Sequence, residues 1–294
     1  MPFVPRQLQT TSNRNPAEFV DAASLLKQAL AFHQAGRLLE AEQFYRKILH
    51  AQPQHFDSLH LLGVLYYQRG EHSEAVRQID AALKINPNFS AAHNNRGNAL
   101  KEMRRFDEAL ESFNRAIAFS LDFAEAFNNR GIVFYELQRF GEALTNYDKA
   151  IELKPDYAEA FNNRGNTLKE LKRFDEALAS YDRAIAFRPD FASALNGRGS
   201  VFQELKRLDE ALASYDRAIV LMPDNADAFF NRGKVLAELH RFDEALQSYD
   251  KAIALGLIVA DIFNSRGIVL SELKRFDEAL QSYDRAIELR RDDV

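Results

Sequence analysis

Residues 158–191 read AEAFNNRGNTLKELKRFDEALASYDRAIAFRPDF, and this stretch decides the fold. Phe161, Gly165 and Leu168, at positions 4, 8 and 11 of the stretch, are spaced three or four apart and share one helical face. Phe174, Ala177, Tyr181 and Ala184, at positions 17, 20, 24 and 27, share another, so the stretch holds two helices. Pro189 ends the second helix, because proline lacks the amide donor and biases the residue before it toward extended backbone. Small residues at 8, 20 and 27 let the two helices approach closely, and the aromatics at 4, 17 and 24 fill the space beside them.

The same register extends in both directions. Prolines at 53, 87, 155, 189 and 223 are separated by 34 or 68 residues, and Leu121 and Leu257 occupy the two missing slots. Glycines repeat in phase at 63, 97, 131, 165, 199, 233 and 267, and alanines at 41, 75, 109, 143, 177, 211, 245 and 279. The chain therefore divides into eight units, 22–55, 56–89, 90–123, 124–157, 158–191, 192–225, 226–259 and 260–293, behind an extension of residues 1–21 that is expected to be partly flexible. Asn15, Pro16 and Glu18 form a helix-start pattern inside that extension. Asp at position 18 (Asp107, Asp175, Asp209, Asp243, Asp277) is expected to cap the second helix, with Glu at 19 favouring its positive end. One hairpin cannot bury both its faces, so the units must stack on their neighbours into an all-α solenoid.

The composition fits a folded scaffold and excludes several functions. Apolar residues make up 46% and charged residues 28%, ordinary values for a globular protein. A net charge of −5 argues against nucleic acid, whose phosphates need a concentrated basic face. The chain has no cysteine, hence no disulfide, thiolate nucleophile or cysteine zinc site. The N-terminal residues lack the apolar core of a secretory signal, and no apolar run is long enough to insert in a membrane, so a cytoplasmic location is expected.

With an aromatic or Leu at 4, Gly or Ala at 8, Ala at 20, an aromatic at 24, Ala at 27 and Pro at 32, the repeat resembles the tetratricopeptide repeat family over residues 22–293. Phe161, Gly165, Ala177, Tyr181, Ala184 and Pro189 carry the likeness in the fifth unit. The resemblance implies a right-handed superhelical α-solenoid whose first helices line a concave groove. It implies a binding scaffold and no particular chemistry, because the family's functions are varied.

One feature departs from the family pattern. Position 7 is arginine in six successive units: Arg96, Arg130, Arg164, Arg198, Arg232 and Arg266. A half-buried guanidinium needs a partner or a path to water. Asp148, Asp182, Asp216, Asp250 and Asp284 recur at position 25, which suggests an Arg–Asp ladder between the paired helices of each unit; the alternative is that the arginines extend into the groove and solubilise it. The pairing is imperfect, since Arg96 shares its unit with Asn114 and Asp80 with Leu62.

Asparagine is concentrated on the polar face of the first helices, at Asn94, Asn95, Asn98, Asn128, Asn129, Asn162, Asn163, Asn166, Asn196, Asn231 and Asn264. Each is a donor and an acceptor without charge, suited to bonding the backbone of an extended peptide. The strings HNNRGNALKE and FNNRGNTLKE are similar to the asparagine ladder in the repeat arrays of O-linked N-acetylglucosamine transferases. That resemblance implies a second reading, the substrate-binding region of such an enzyme with its catalytic part absent from this chain. Glutamates at position 13 (Glu102, Glu136, Glu170, Glu204, Glu238, Glu272), with Lys101 and Lys169 beside two of them, leave the groove edge mildly acidic and suit a neutral or basic partner. The Lys and Arg pattern of carboxylate-clamp relatives is missing from positions 2, 5 and 6, against a chaperone-tail adaptor.

No residue stands out as catalytic. NGRGSVF, at 196–202, has too few glycines and no preceding strand for a phosphate loop. His50, His55 and His60 are five apart and do not share a helical face, so no metal is expected. Paired carboxylates abound, but each belongs to a repeated exposed position such as DEAL, where capping and solubility explain it. The expectation is a non-enzymatic protein-interaction scaffold without cofactors. Units 1 and 2 have lost the NNRG and RFDEAL strings, so their groove must differ. After the last unit no polar capping helix follows, which makes Leu280, Ile287 and Leu289 a candidate end interface, including for self-association.

Overall fold

A computed structural model describes residues 21–292; the extension and the helix start read at Asn15, Pro16 and Glu18 lie outside the described residues, Asp21 excepted. Two compact units emerge, one up to Phe119 and one from Ser120 onward. The first holds α1 (Ala22–Gln34), α2 (Leu38–Ala51), α3 (Phe56–Gln68), α4 (His72–Ile85), α5 (Ser90–Glu102) and α6 (Phe106–Phe119). The second holds α7 (Ala124–Glu136), α8 (Phe140–Leu153), α9 (Ala158–Glu170), α10 (Phe174–Phe187), α11 (Ala192–Glu204), α12 (Leu208–Leu221), α13 (Ala226–Glu238), α14 (Phe242–Ala254), α15 (Ala260–Glu272) and α16 (Phe276–Asp292). No strand occurs among the described residues, and each unit is a stack of helical hairpins.

Within each unit the packing is local. The two helices of a hairpin contact each other most, each second helix then packs on the next first helix, and successive first helices touch. The core is a column of small and large side chains. Ala177, Tyr181 and Ala184 are fully buried, as are Ala211, Tyr215 and Ala218 one repeat later. The glycine at position 8 is required by this column: a Cβ on Gly165 would lie 2.8 Å from the ring of Tyr181.

The turns explain the helix ends. The residue at position 15 adopts a left-handed conformation, with φ of 72° and 78° at Gly36 and Gly70 but also 56° at Lys172 and 57° at Lys206. Non-glycine residues accept this at a cost because the conformation closes the first helix. The second helix starts at position 17, its N-cap being Arg139, Arg173, Arg207 or Arg241 with no side-chain cap bond. Asp175, Asp209 and Asp243 therefore lie inside the first turn, not at the cap, which corrects the expectation for position 18. They still meet the positive helix end. The glutamate at 19 pairs with the capping arginine, as where Arg173 Nε donates to Glu176 Oε1 at 2.7 Å. That guanidinium holds the Glu176 carboxyl below its ordinary pKa. Where Leu257 replaces proline, α14 is 13 residues long in place of 14, and Gly256 turns the chain with φ of 94°.

Candidate protein-interaction surface

The asparagine row divides into two kinds of position. Asn94, Asn128 and Asn162, all at position 5, are only 7%, 3% and 7% exposed. They face neighbouring helices and not open solvent. Asn95, Asn163 and Asn231 at position 6, with Asn98 and Asn166 at position 9, are half-buried, and so are Asn129 and Asn196, while Asn264 is exposed.

Positions 5 and 6 are bonded across repeats. In the second unit Asn163 Nδ2 donates to Asn128 Oδ1 at 3.0 Å, and Asn231 Nδ2 to Asn196 Oδ1 at 3.5 Å. Asn128 Nδ2 in turn donates to Asn129 Oδ1 at 3.4 Å. In the first unit Asn95 Nδ2 bonds His60 Nε2 at 3.0 Å, so histidine substitutes as the acceptor at position 5. Burial pushes the His60 pKa down, which favours the neutral ring that this bond needs. The rung between the fifth and sixth repeats is missing. Asn162 Oδ1 is buried with no donor among the described residues, because position 6 of the next repeat is Gly197. The ring of Tyr181 fills the space beside that glycine, 2.7 Å from where a Cβ would stand, and its hydroxyl donates to Asn166 Oδ1 at 2.7 Å.

The arginines at position 7 hold the stack from the other side of the same helices. Arg164 Nε donates to Asp148 Oδ1 at 2.7 Å, and its Nη1 to Ser180 Oγ at 2.7 Å. Arg96 repeats this with Asp80 and Ser112, Arg232 with Asp216 and Ser248, and Arg266 with Asp250 and Ser282, while Arg198 has the same two partners with the nitrogens exchanged, Nη1 donating to Asp182 and Nε to Ser214. In Arg130 the serine is replaced by Asn146, which accepts at 2.7 Å. The aspartate thus comes from the preceding repeat, not from the arginine's own hairpin. The expected ladder exists with its partner displaced by one repeat, which is why Asp80 persists in a unit whose position 7 is Leu62. Sequence reading overlooked the serine at position 23, although it and the aspartate lie 16 residues on either side of each arginine.

The glutamates at position 13 are exposed. Glu238 receives Gln203 at 3.0 Å and Lys206 at 2.7 Å, tying one repeat to the next along the edge. The histidines have local roles: His55 caps α3 by accepting from Ser58 N at 3.2 Å, and His50 lies in the last turn of α2. Gly197 and Gly199 both pack on tyrosine rings, Tyr181 and Tyr215. Among the described residues no His, Cys, Asp and Glu group is placed to hold a metal ion, and no helix is long and apolar enough to cross a membrane. Of the end residues, Leu280 and Ile287 are exposed and Leu289 is half-buried.

Comparison with known proteins agrees with this architecture. Tetratricopeptide repeat models match residues 32–97, 90–120, 158–191 and 224–292, and a TPR repeat model matches 133–172 and 199–239. No curated protein matches the chain. Among solved structures, a tetratricopeptide repeat protein from Parabacteroides merdae is similar at 20% identity and a TM-score of 0.66, over 85% of this chain and 98% of that one. MamA is similar at 23% identity and a TM-score of 0.51, over 55% of this chain and 94% of its own. The Cut9–Hcn1 hetero-tetramer of the APC/C is similar at 17% identity and a TM-score of 0.66, over 93% of this chain and 54% of that chain. At these identities the likeness concerns the fold.

Proposed function

Since the chain belongs to the tetratricopeptide repeat family, we infer that it is a non-catalytic protein-interaction scaffold whose first helices receive an extended segment of a partner protein. The observation that carries this reading is the recurrence of half-buried asparagines at positions 6 and 9, in phase with the repeat, as at Asn163, Asn166 and Asn231. A neutral amide offers donor and acceptor together, which matches the alternating N–H and C=O of a peptide backbone and selects little by sequence. The buried asparagines at position 5 have a supporting role, orienting their position 6 neighbours through the bonds between repeats. Orientation lowers the ordering cost of binding.

A register for such a segment follows from general helix and strand dimensions. Packed helices lie about 8–10 Å apart and an extended chain advances about 3.3 Å per residue, so about three ligand residues span one repeat. The exposed glutamates at position 13 favour a neutral to basic ligand. Panning the whole protein against a displayed library of extended peptides tests this. The expected result is a family of binders with cationic residues at a spacing near three. An absence of binders, or enrichment of acidic segments, contradicts it.

A further inference from the structure

The third repeat departs from the others at a cavity of about 340 Å³ between α4, α5 and α6, on the arginine side of α5 and away from the asparagines. In the fifth repeat the corresponding position is covered. Phe161 stacks there on Phe187 with ring centroids 5.8 Å apart, and the Arg183 guanidinium lies over both rings, 5.7 and 4.7 Å from their centroids. In the third repeat His93 stands in place of Phe161, Glu111 in place of Ala179, and Lys84 in place of Glu152. Arg115, the counterpart of Arg183, turns away from the stacked rings of His93 and Phe119 and donates to Glu111 Oε1 at 2.6 Å.

His93 is only 4% exposed. Its Nε2 lies 2.7 Å from the Pro87 carbonyl, which can only accept, so Nε2 carries the ring proton and Nδ1 is an acceptor. Burial pushes the His93 pKa down and so favours this neutral ring. Nδ1 has no donor among the described residues, although the ring lines the cavity. The charged groups around it are Lys84, Arg96 and Arg115 against Asp80 and Glu111, a surplus of one positive charge. Arg96 is held by Asp80 and Ser112 and Arg115 by Glu111, whereas Lys84 is exposed and has no ion pair among the described residues.

We propose that this cavity binds a small hydroxylated monocarboxylate, with its carboxylate on Lys84 and a hydroxyl donating to His93 Nδ1. The single surplus charge matches one carboxylate and not a phosphate ester, which carries about −1.5 to −2. A buried acceptor without a donor is costly, so a ligand that supplies the hydroxyl gains over one that supplies the charge alone.

Calorimetric titration of the whole protein with gluconate tests the proposal, beside nitrogen NMR of the imidazoles. Gluconate should saturate in the millimolar range, the affinity expected of so small a ligand, and should shift His93 Nδ1. Acetate has the charge without the hydroxyls and erythritol the hydroxyls without the charge, and each should bind at least about tenfold more weakly. Lys84→Ala removes an exposed side chain and should weaken gluconate about tenfold. His93→Phe installs the residue found at this position as Phe127, Phe161, Phe229 and Phe263, so the fold tolerates it, and binding should disappear. No saturable binding, no shift at His93, acetate binding as tightly as gluconate, or undiminished affinity in either variant each overturn the proposal.

Discussion

Arg164 of α9 donates to Asp148 of α8 at 2.7 Å, and thereby ties the fifth repeat to the fourth and not to its own second helix. The pair is partly solvated, with the arginine 25% and the aspartate 58% exposed, so its coupling is expected to be modest, about 0.5–1 kcal/mol. A double-mutant cycle on Arg164 and Asp148 should return that value, and a cycle on Arg164 and Asp182 should return none. Equal coupling in both cycles would contradict the cross-repeat pairing.

The stacked and unstacked leucines should differ sharply. Leu246 is 6% exposed beneath the next repeat and Leu280, its equivalent, is 61% exposed. Leu246→Ala is expected to cost about 2–4 kcal/mol by denaturant unfolding, through lost burial and the cavity left behind. Leu280→Ala is expected to change stability by less than about 0.5 kcal/mol.

Lys172 closes α9 with φ of 56°, a conformation that glycine accepts freely and that Gly36 and Gly70 supply in the first two repeats. Lys172→Gly should therefore raise stability by up to about 1 kcal/mol, net of glycine's greater entropy in the unfolded chain. An unchanged or lower unfolding midpoint would show that the lysine pays nothing for its backbone.

The protein should lose stability in alkali. Burial raises the pKa of Tyr147, Tyr181, Tyr215 and Tyr249 far above the ordinary 10.0 and that of Tyr45 to about 12. Below pH 10 the phenols are protonated in both states; above it the unfolded chain binds fewer protons, so unfolding becomes easier as pH rises toward and past 12. Each tyrosine contributes up to about 1.4 kcal/mol per pH unit in that window. Tyrosinate absorbance should appear together with loss of helical circular dichroism. Ionisation with the helices intact would mean the rings are accessible.

Much of this was legible because the chain repeats itself. The spacing of Gly165, Ala177, Tyr181 and Pro189 locates both helices of a hairpin, and α9 and α10 occupy the stretches that it marks. Contacts were less legible for the same reason. In a tandem array, position 25 recurs every 34 residues, so periodicity alone does not say whether Arg164 meets Asp148 or Asp182. Only the breaks in the pattern discriminate, and Leu62 sharing a unit with Asp80 was such a break. The Asp at position 18 was misplaced because aspartate favours both the cap and the first turn, and the tight turn at position 15 decided between them. Burial of Asn128 and Asn162 was hidden because helical phase assigns a face but not the closeness of the neighbouring first helix.

The most direct test of the scaffold account is calorimetric titration of a peptide recovered by panning into the unaltered protein and into a variant carrying Asn163→Ala, Asn166→Ala and Asn231→Ala. Three lost polar contacts should weaken binding by more than about tenfold, and Leu280→Ser as a control should leave it unchanged. Equal affinity in the asparagine variant, with its helical content intact, would contradict the account.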